Sequence, residues 1–258
     1  MTEAVNWSLE GKVAIVTGAA PGGIGETYAR TLAAAGAAVV CADVREDGAQ
    51  KVAADLAEAG LQAFGAGVDI TDPESVETLT RATVERFGGV DILVNNAALM
   101  ATLHRGPVLE CEYDHWKLAM DVNLNGAYLM TRSVVPHMRE RGGGRIVNQT
   151  SGGAFPAATL YGITKIALVG LTTTLARDLG PSRITVNAIA PGLVESEAGK
   201  ALVPEGSAFR EAMKRVVAMQ AFAAPEELAG PLLLLTAPAG NWITGQVLHV
   251  DGGWILRP

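Results

Sequence analysis

"KVAIVTGAAPGGIGETYA", residues 12–29, decides how the rest of the chain is read. An apolar run ends at Thr17-Gly18, glycine recurs at 22, 23 and 25, and a stretch of helical periodicity opens at once. Glycines, having no Cβ, let backbone amides close on an anion, and a helix N-terminus adds unpaired N–H groups and the positive end of its dipole. A glycine-rich loop alone could equally be a tight turn. Its place between a strand and a helix points to a dinucleotide pyrophosphate.

The same alternation continues along the chain. "KVAIVTG" (12–18), "AAVVCADV" (37–44), "QAFGAGVDI" (62–70), "VDILVNNA" (90–97), "GRIVNQTS" (144–151), "ITVNAIAPG" (184–192) and "QVLHVDGG" (246–253) read as seven strands. Most are continuously apolar, as strands covered on both faces are. Helical stretches lie between them at 26–35, 46–59, 74–87, 114–140, 159–179, 208–219 and 225–236. The pattern predicts an α/β fold of the Rossmann type, a doubly wound, seven-stranded parallel sheet flanked by helices. No repeat or linker divides the chain, so residues 1–258 form one domain, with "RGGGR" (141–145) stopping a helix ahead of a strand. Residues 195–224 break the rhythm and read either as two surface helices or as a mobile lid over the strand ends.

Bulk composition removes several function classes. The chain has 258 residues, a net charge of -7 and 49% hydrophobic residues. It can bury a sizeable core, and its charge repels nucleic acid. Cys41 and Cys111 fall in no metal or redox spacing and read as packed thiols in a reducing compartment. The beginning "MTEAVNWSLEGK" lacks the layout of a signal peptide, and no stretch reaches a membrane span, which together predict a cytoplasmic protein without membrane contact.

Asp43 ends the second strand, where an acid can accept hydrogen bonds from both hydroxyls of an adenosine ribose. It would repel a 2'-phosphate, which predicts NAD(H) over NADP(H), although Arg45 could partly neutralise it. The bland alternative is an acid that caps the following helix. "YGITK" (161–165) sets Tyr161 and Lys165 on one helix face, and by itself is either a decorated surface or a proton-transfer pair.

Taken in order, the Gly loop, "NNAA" (95–98), "VNLNG" (122–126), "QTS" (149–151), "YGITK" and "NAIAPG" (187–192) resemble the short-chain dehydrogenase/reductase family, from about residue 11 to 254. The resemblance implies Tyr161 as acid/base, Lys165 lowering its pKa and holding the ribose, Ser151 binding the substrate oxygen, and Asn123 holding a relay water. It further implies cofactor contacts at Gly18, Gly23, Ile24, Gly25, Asp69, Ile70, Asn95, Ala97, Pro191, Gly192, Val194 and Ser196. The electrostatics agree: a phenol titrates near 10, and a cation about 4 Å away is worth roughly 4 kcal/mol in a partly screened site. Lys165 with an oxidised nicotinamide would thus bring Tyr161 toward a general base.

The chain departs from the family pattern in three places. The Gly loop is one residue longer than usual, with Gly22 as the extra position; "NNAA" stands for the usual "NNAG"; and Ser151 and Tyr161 are only ten residues apart, leaving Thr150 as an alternative serine equivalent. Leu99, Met100, Phe155, Pro156, Leu193, Met213 and Met219 predict an apolar pocket for a hydrophobic secondary alcohol or ketone. His104, in the loop after "NNAA", reads as a solvated loop histidine or as a residue facing substrate. The long helices imply, by resemblance, dimers pairing into a homotetramer, with Trp242, Trp254, Ile255 and Leu256 at an interface. A silent NAD-binding sensor on the same fold is the alternative function, and a lyase or epimerase would need a larger substrate domain than the chain allows.

Overall fold

The computed structural model describes residues 5–256. Seven strands, β1 (Val13–Thr17), β2 (Ala38–Asp43), β3 (Ala63–Gly67), β4 (Ile92–Asn95), β5 (Gly144–Gln149), β6 (Ile184–Pro191) and β7 (Val247–Val250), form one parallel sheet in the order β3-β2-β1-β4-β5-β6-β7. The order reverses between β1 and β4. Connections from these two strands leave in opposite directions, and a crevice opens beyond their C-terminal ends.

The crossovers place α1 (Ile24–Ala34) and α2 (Glu46–Glu58) on one face with α9 (Ala229–Thr236), and α3 (Pro73–Phe87), α5 (Gly126–Glu140) and α6 (Leu160–Leu179) on the other. The remaining helices are α4 (Tyr113–Met120), α7 (Glu197–Leu202) and α8 (Ala208–Val216). The sheet separates two cores because strand side chains alternate. Ala14 and Val16 pack under α1 and α9, whereas Ile15 packs under α5. This two-sided burial is what the unbroken apolar runs encode.

Element boundaries follow local chemistry. Asp72 accepts from Glu74 N to start α3, with Pro73 in its first turn. Gly88 ends α3 in the left-handed conformation at φ 80°. The stretch expected as one helix over 114–140 is instead α4 and α5 joined by a π-helical turn, Asp121–Asn125. Residues 195–224 contain α7 and α8, as the two-helix reading had it. Their excursion is closed at its base, where Ala223 N donates to Leu193 O and Glu195 N to Ala223 O, both at 2.9 Å.

Helix α2 sits hard on β3 because Gly65 has no side chain: a Cβ there would stand 2.5 Å from Gln50 Cα. Gly65→Ala should therefore cost about 1–3 kcal/mol of stability by overpacking, read as a lower urea midpoint at unchanged slope. Unchanged stability would mean that α2 floats free of the sheet.

Candidate active site

The Gly loop is shaped by close approach. Gly18, at φ 68°, turns the chain out of β1, and a Cβ on it would meet Ala97 Cα at 2.8 Å. Gly25 is tighter still, with a Cβ position 2.0 Å from Gly18 O. Asn96 ties these parts together, its Nδ2 donating to Thr17 O at 2.9 Å and Gly18 O at 3.1 Å. The extra residue, Gly22, adopts φ 82° and gives its N–H to Glu26 Oε2 at 2.9 Å. Its carbonyl accepts from Glu197 N at 3.0 Å, joining the loop to the start of α7. Around Gly23 a Cβ would meet nothing nearer than 3.7 Å, so space remains over the N-terminus of α1.

That space belongs to a cleft of about 630 Å³ that runs from Asp43, Asp69 and Ile70 past Gly18, Gly23, Ile24 and Ala97 to Tyr161, Lys165 and Ser196. Its residues fit an extended dinucleotide: anion-binding backbone in the middle, an acid at one end, a tyrosine and lysine at the other. Asp43 is held rigidly, Oδ2 accepting from Ala20 N and Oδ1 from Arg45 N, both at 3.0 Å. The Arg45 side chain is largely exposed, with Nε 3.8 Å from Asp43.

A second cavity of about 570 Å³ meets the first at Tyr161. Ser151, Thr150 and Gln149 stand beside Tyr161 in it, and Pro191, Gly192, Val194 and Ser196 form one wall. Ser151 hydrogen-bonds Tyr161 and accepts from Gly153 N at 3.1 Å. The Thr150 hydroxyl instead donates to Lys165 O at 2.9 Å, which leaves Ser151 as the hydroxyl beside the phenol. Lys165 is fully buried, its Nζ donating to Gln149 O at 2.7 Å and lying 5.5 Å from the Tyr161 ring centroid.

Burial dominates the electrostatics of this pair. It pushes the Tyr161 phenol up to about 12 against the opposing hydrogen bond to Ser151. It draws the Lys165 ammonium down to about 7. In both groups desolvation by burial is the largest cause of the shift.

Several sequence-selected residues sit elsewhere than expected. Asn95 turns away from the cleft and donates to Asn148 Oδ1 at 2.9 Å behind the sheet; its neighbour Asn96, one step along the strand, lines the cleft. The Asn123 side chain bonds to Leu99 N at 2.7 Å, Leu99 O at 2.9 Å and Thr164 Oγ1 at 3.1 Å. Gly25 acts by packing, not by contact with the cleft. Leu99 borders the cofactor cleft, Phe155 stacks on His249 at 4.5 Å, and Met219 is 76% exposed, so none of the three lines the second cavity. Met100, Pro156, Leu193 and Met213 do, as does His104, whose Nε2 lies 2.9 Å from Pro107 O. Trp254 also lines the cavity, whereas Trp242 is fully exposed. Gln149 carries a structural role that its place in the "QTS" motif does not signal. Its carbonyl holds Lys165, and its Oε1 accepts from the buried Tyr28 hydroxyl at 2.7 Å.

A family model described as Enoyl-(Acyl carrier protein) reductase matches residues 18–255. The chain is 36% identical over 254 residues to the 3-oxoacyl-[acyl-carrier-protein] reductase FabG of Vibrio cholerae, covering 96% of this chain and 99% of that one. This is a short-chain dehydrogenase/reductase. It is also 42% identical over 249 residues to an uncharacterized oxidoreductase of Mycobacterium tuberculosis (96% and 99% coverage). A 7α-hydroxysteroid dehydrogenase solved with NADH and 7-oxo glycochenodeoxycholic acid superposes with a TM-score of 0.91 at 33% identity, covering 100% and 99% of the two chains. A gluconate 5-dehydrogenase from Burkholderia cenocepacia, solved with NADP and tartrate, gives 0.90 at 35% identity over 97% of each. Membership in the short-chain dehydrogenase/reductase family makes the protein an oxidoreductase acting on CH-OH groups. No described helix is long and apolar enough to cross a membrane.

The low pKa of Lys165 makes stability depend on pH. From about pH 7 upward the folded state holds Lys165 neutral, while an unfolded lysine stays protonated to about 10.4. The unfolded chain then binds more protons, so this group's contribution to stability improves as pH rises through that window and is worst below about 7. In urea unfolding, the wild type should gain on Lys165→Met between about pH 7 and pH 9.5. A pH-independent difference would show that Lys165 is charged and solvated when folded.

Proposed function

We propose that the protein transfers a hydride between NAD(H) and a hydrophobic secondary alcohol or ketone, with Tyr161 as general acid/base. One observation carries this reading: the dinucleotide-shaped cleft and the mostly apolar cavity meet at Tyr161, with Ser151 on one side and Lys165 on the other. A bound nicotinamide would supply the hydride acceptor or donor. The chain's own residues do the rest.

Backbone at Gly18, Gly23 and Ile24 cradles the pyrophosphate, Gly25 allowing the turn. Asp43 would take the adenosine ribose, Asp69 and Ile70 the adenine, and Ala97, Pro191, Gly192, Val194 and Ser196 the nicotinamide. Asn95 supports the end of β4 from behind. The rigid Asp43 carboxylate, its two oxygens fixed by amides, favours a free ribose over a 2'-phosphate, which supports NAD as the cofactor.

During reduction Tyr161 gives its proton to the substrate oxygen as charge develops there, and Ser151 holds that oxygen in place. Lys165 would hold the nicotinamide ribose, and the positive charge of an oxidised nicotinamide would help it to lower the phenol. Asn123 positions the site by clamping Leu99 to α6. The 195–224 segment acts as a lid: α7 and α8 supply Gly199, Leu202, Phe209 and Met213 to the cavity above a pinned base. We further propose a homotetramer, supported by the exposed apolar side chains Tyr113, Leu118 and Tyr128 on α4 and α5 and by Trp242.

Tyr161→Phe tests the reading. It should lower kcat by about 100-fold or more while leaving the NADH dissociation constant within a few-fold of wild type. Turnover at the wild-type rate would remove Tyr161 from the chemistry.

A further inference from the structure

The substrate cavity has a polar floor at Tyr161 and Ser151, largely apolar walls and a single formal charge. Among the described residues lining it that charge is Arg105, on the loop after β4, and no Asp or Glu lines it. The chain has 27 acidic and 20 basic residues, and among the described residues the exposed Arg30, Arg45 and Arg141 each have a carboxylate within ion-pairing distance. Arg105 has none within ion-pairing distance among the described residues; its hydrogen bond goes from Nη2 to Ala101 O at 3.1 Å. The remaining donors of a five-donor guanidinium stay available. The nearest acid of the same loop, Glu110, lies beside Gly106 and not in the cavity lining.

The loop fixes where that charge stands. Leu103, two residues earlier, is buried against Ala119 and Leu160. The His104 ring is tied to Pro107 O. Arg105 itself is exposed, whereas Leu103, which lines the same cavity, is buried. A cavity of about 570 Å³ is larger than a short alcohol needs. Its chemistry matches a molecule with an oxygen to be oxidised or reduced at one end, an apolar body, and an anion at the other end.

We propose that the substrate is an apolar ketone or alcohol carrying a terminal carboxylate, and that Arg105 selects it by pairing with that carboxylate at the cavity mouth. The inference rests on the hydride-transfer reading above. An exposed guanidinium paired in solvent acts mainly on binding, so selection appears in KM more than in kcat.

The test compares 6-(4-acetylphenyl)hexanoate with its methyl ester, in wild type and Arg105→Gln, by NADH oxidation and by calorimetric titration of the enzyme with each compound in the presence of NAD. The wild type should prefer the carboxylate by about fivefold or more in kcat/KM, through KM, with a preference that shrinks in high salt. In Arg105→Gln the ratio should fall to about one, and Arg105→Glu should invert it. Equal handling of the two compounds by the wild type, or a ratio unmoved by Arg105→Gln, overturns the proposal while leaving hydride transfer standing. Tighter binding of the carboxylate, lost in Arg105→Gln but without turnover of either ketone, upholds the role of Arg105 and counts against ketone reduction.

Discussion

The site depends on one close approach, the junction of Gly18, Gly25 and the Asn96 carboxamide. Asn96 donates to the carbonyls of Thr17 and Gly18, while Gly18 and Gly25 leave no room for a side chain. This locks the turn out of β1, the first turn of α1 and the end of β4 into one unit at the point where the sheet order reverses. The amides at the start of α1 can then face outward as an anion site, and the loop after β4 is directed toward Tyr161. Loosening the junction would detach the anion site from the catalytic side of the cleft without touching any reacting group.

The junction also explains how the lengthened loop is accommodated. Gly22 bulges outward, its amide capped by Glu26 and its carbonyl taken by α7, so Gly18 and Gly25 keep their mutual contact. The insertion thereby links the cofactor loop directly to the segment that closes over the substrate cavity. Lys165 completes the arrangement from the other side, its buried ammonium tied to the end of β5 through Gln149 O. Helix α6 carries Tyr161 and Lys165, and the end of β5 sets Ser151 beside them.

The sheet was legible because continuous apolar runs can be buried only on both faces, and all seven runs became strands within a few residues of the expected limits. The interruption of 114–140 was not legible, since no proline or glycine marks 121–125. The π turn sits where Asn123 reaches across to Leu99, a tertiary contact. The Asn95/Asn96 exchange has a simple cause: neighbouring residues at a strand end face opposite sides, and the motif "NNAA" does not say which asparagine faces the cleft. Phe155 and Met219 are apolar residues that the sequence places near the site, yet Phe155 lies against His249 and Met219 is exposed. The charge balance of Tyr161 and Lys165 needed burial, which spacing cannot supply.

The most direct test of the account is a parallel titration of the wild-type protein with NADH and NADPH, followed by the change in cofactor fluorescence. Binding of NADH tighter than NADPH by about tenfold or more, equivalent to about 1.4 kcal/mol, is the result that a rigid, amide-held Asp43 at the ribose end requires. Equal affinities, or tighter NADPH, would show that Arg45 governs that end of the cleft and that Asp43 is only a cap for the Ala20 and Arg45 amides.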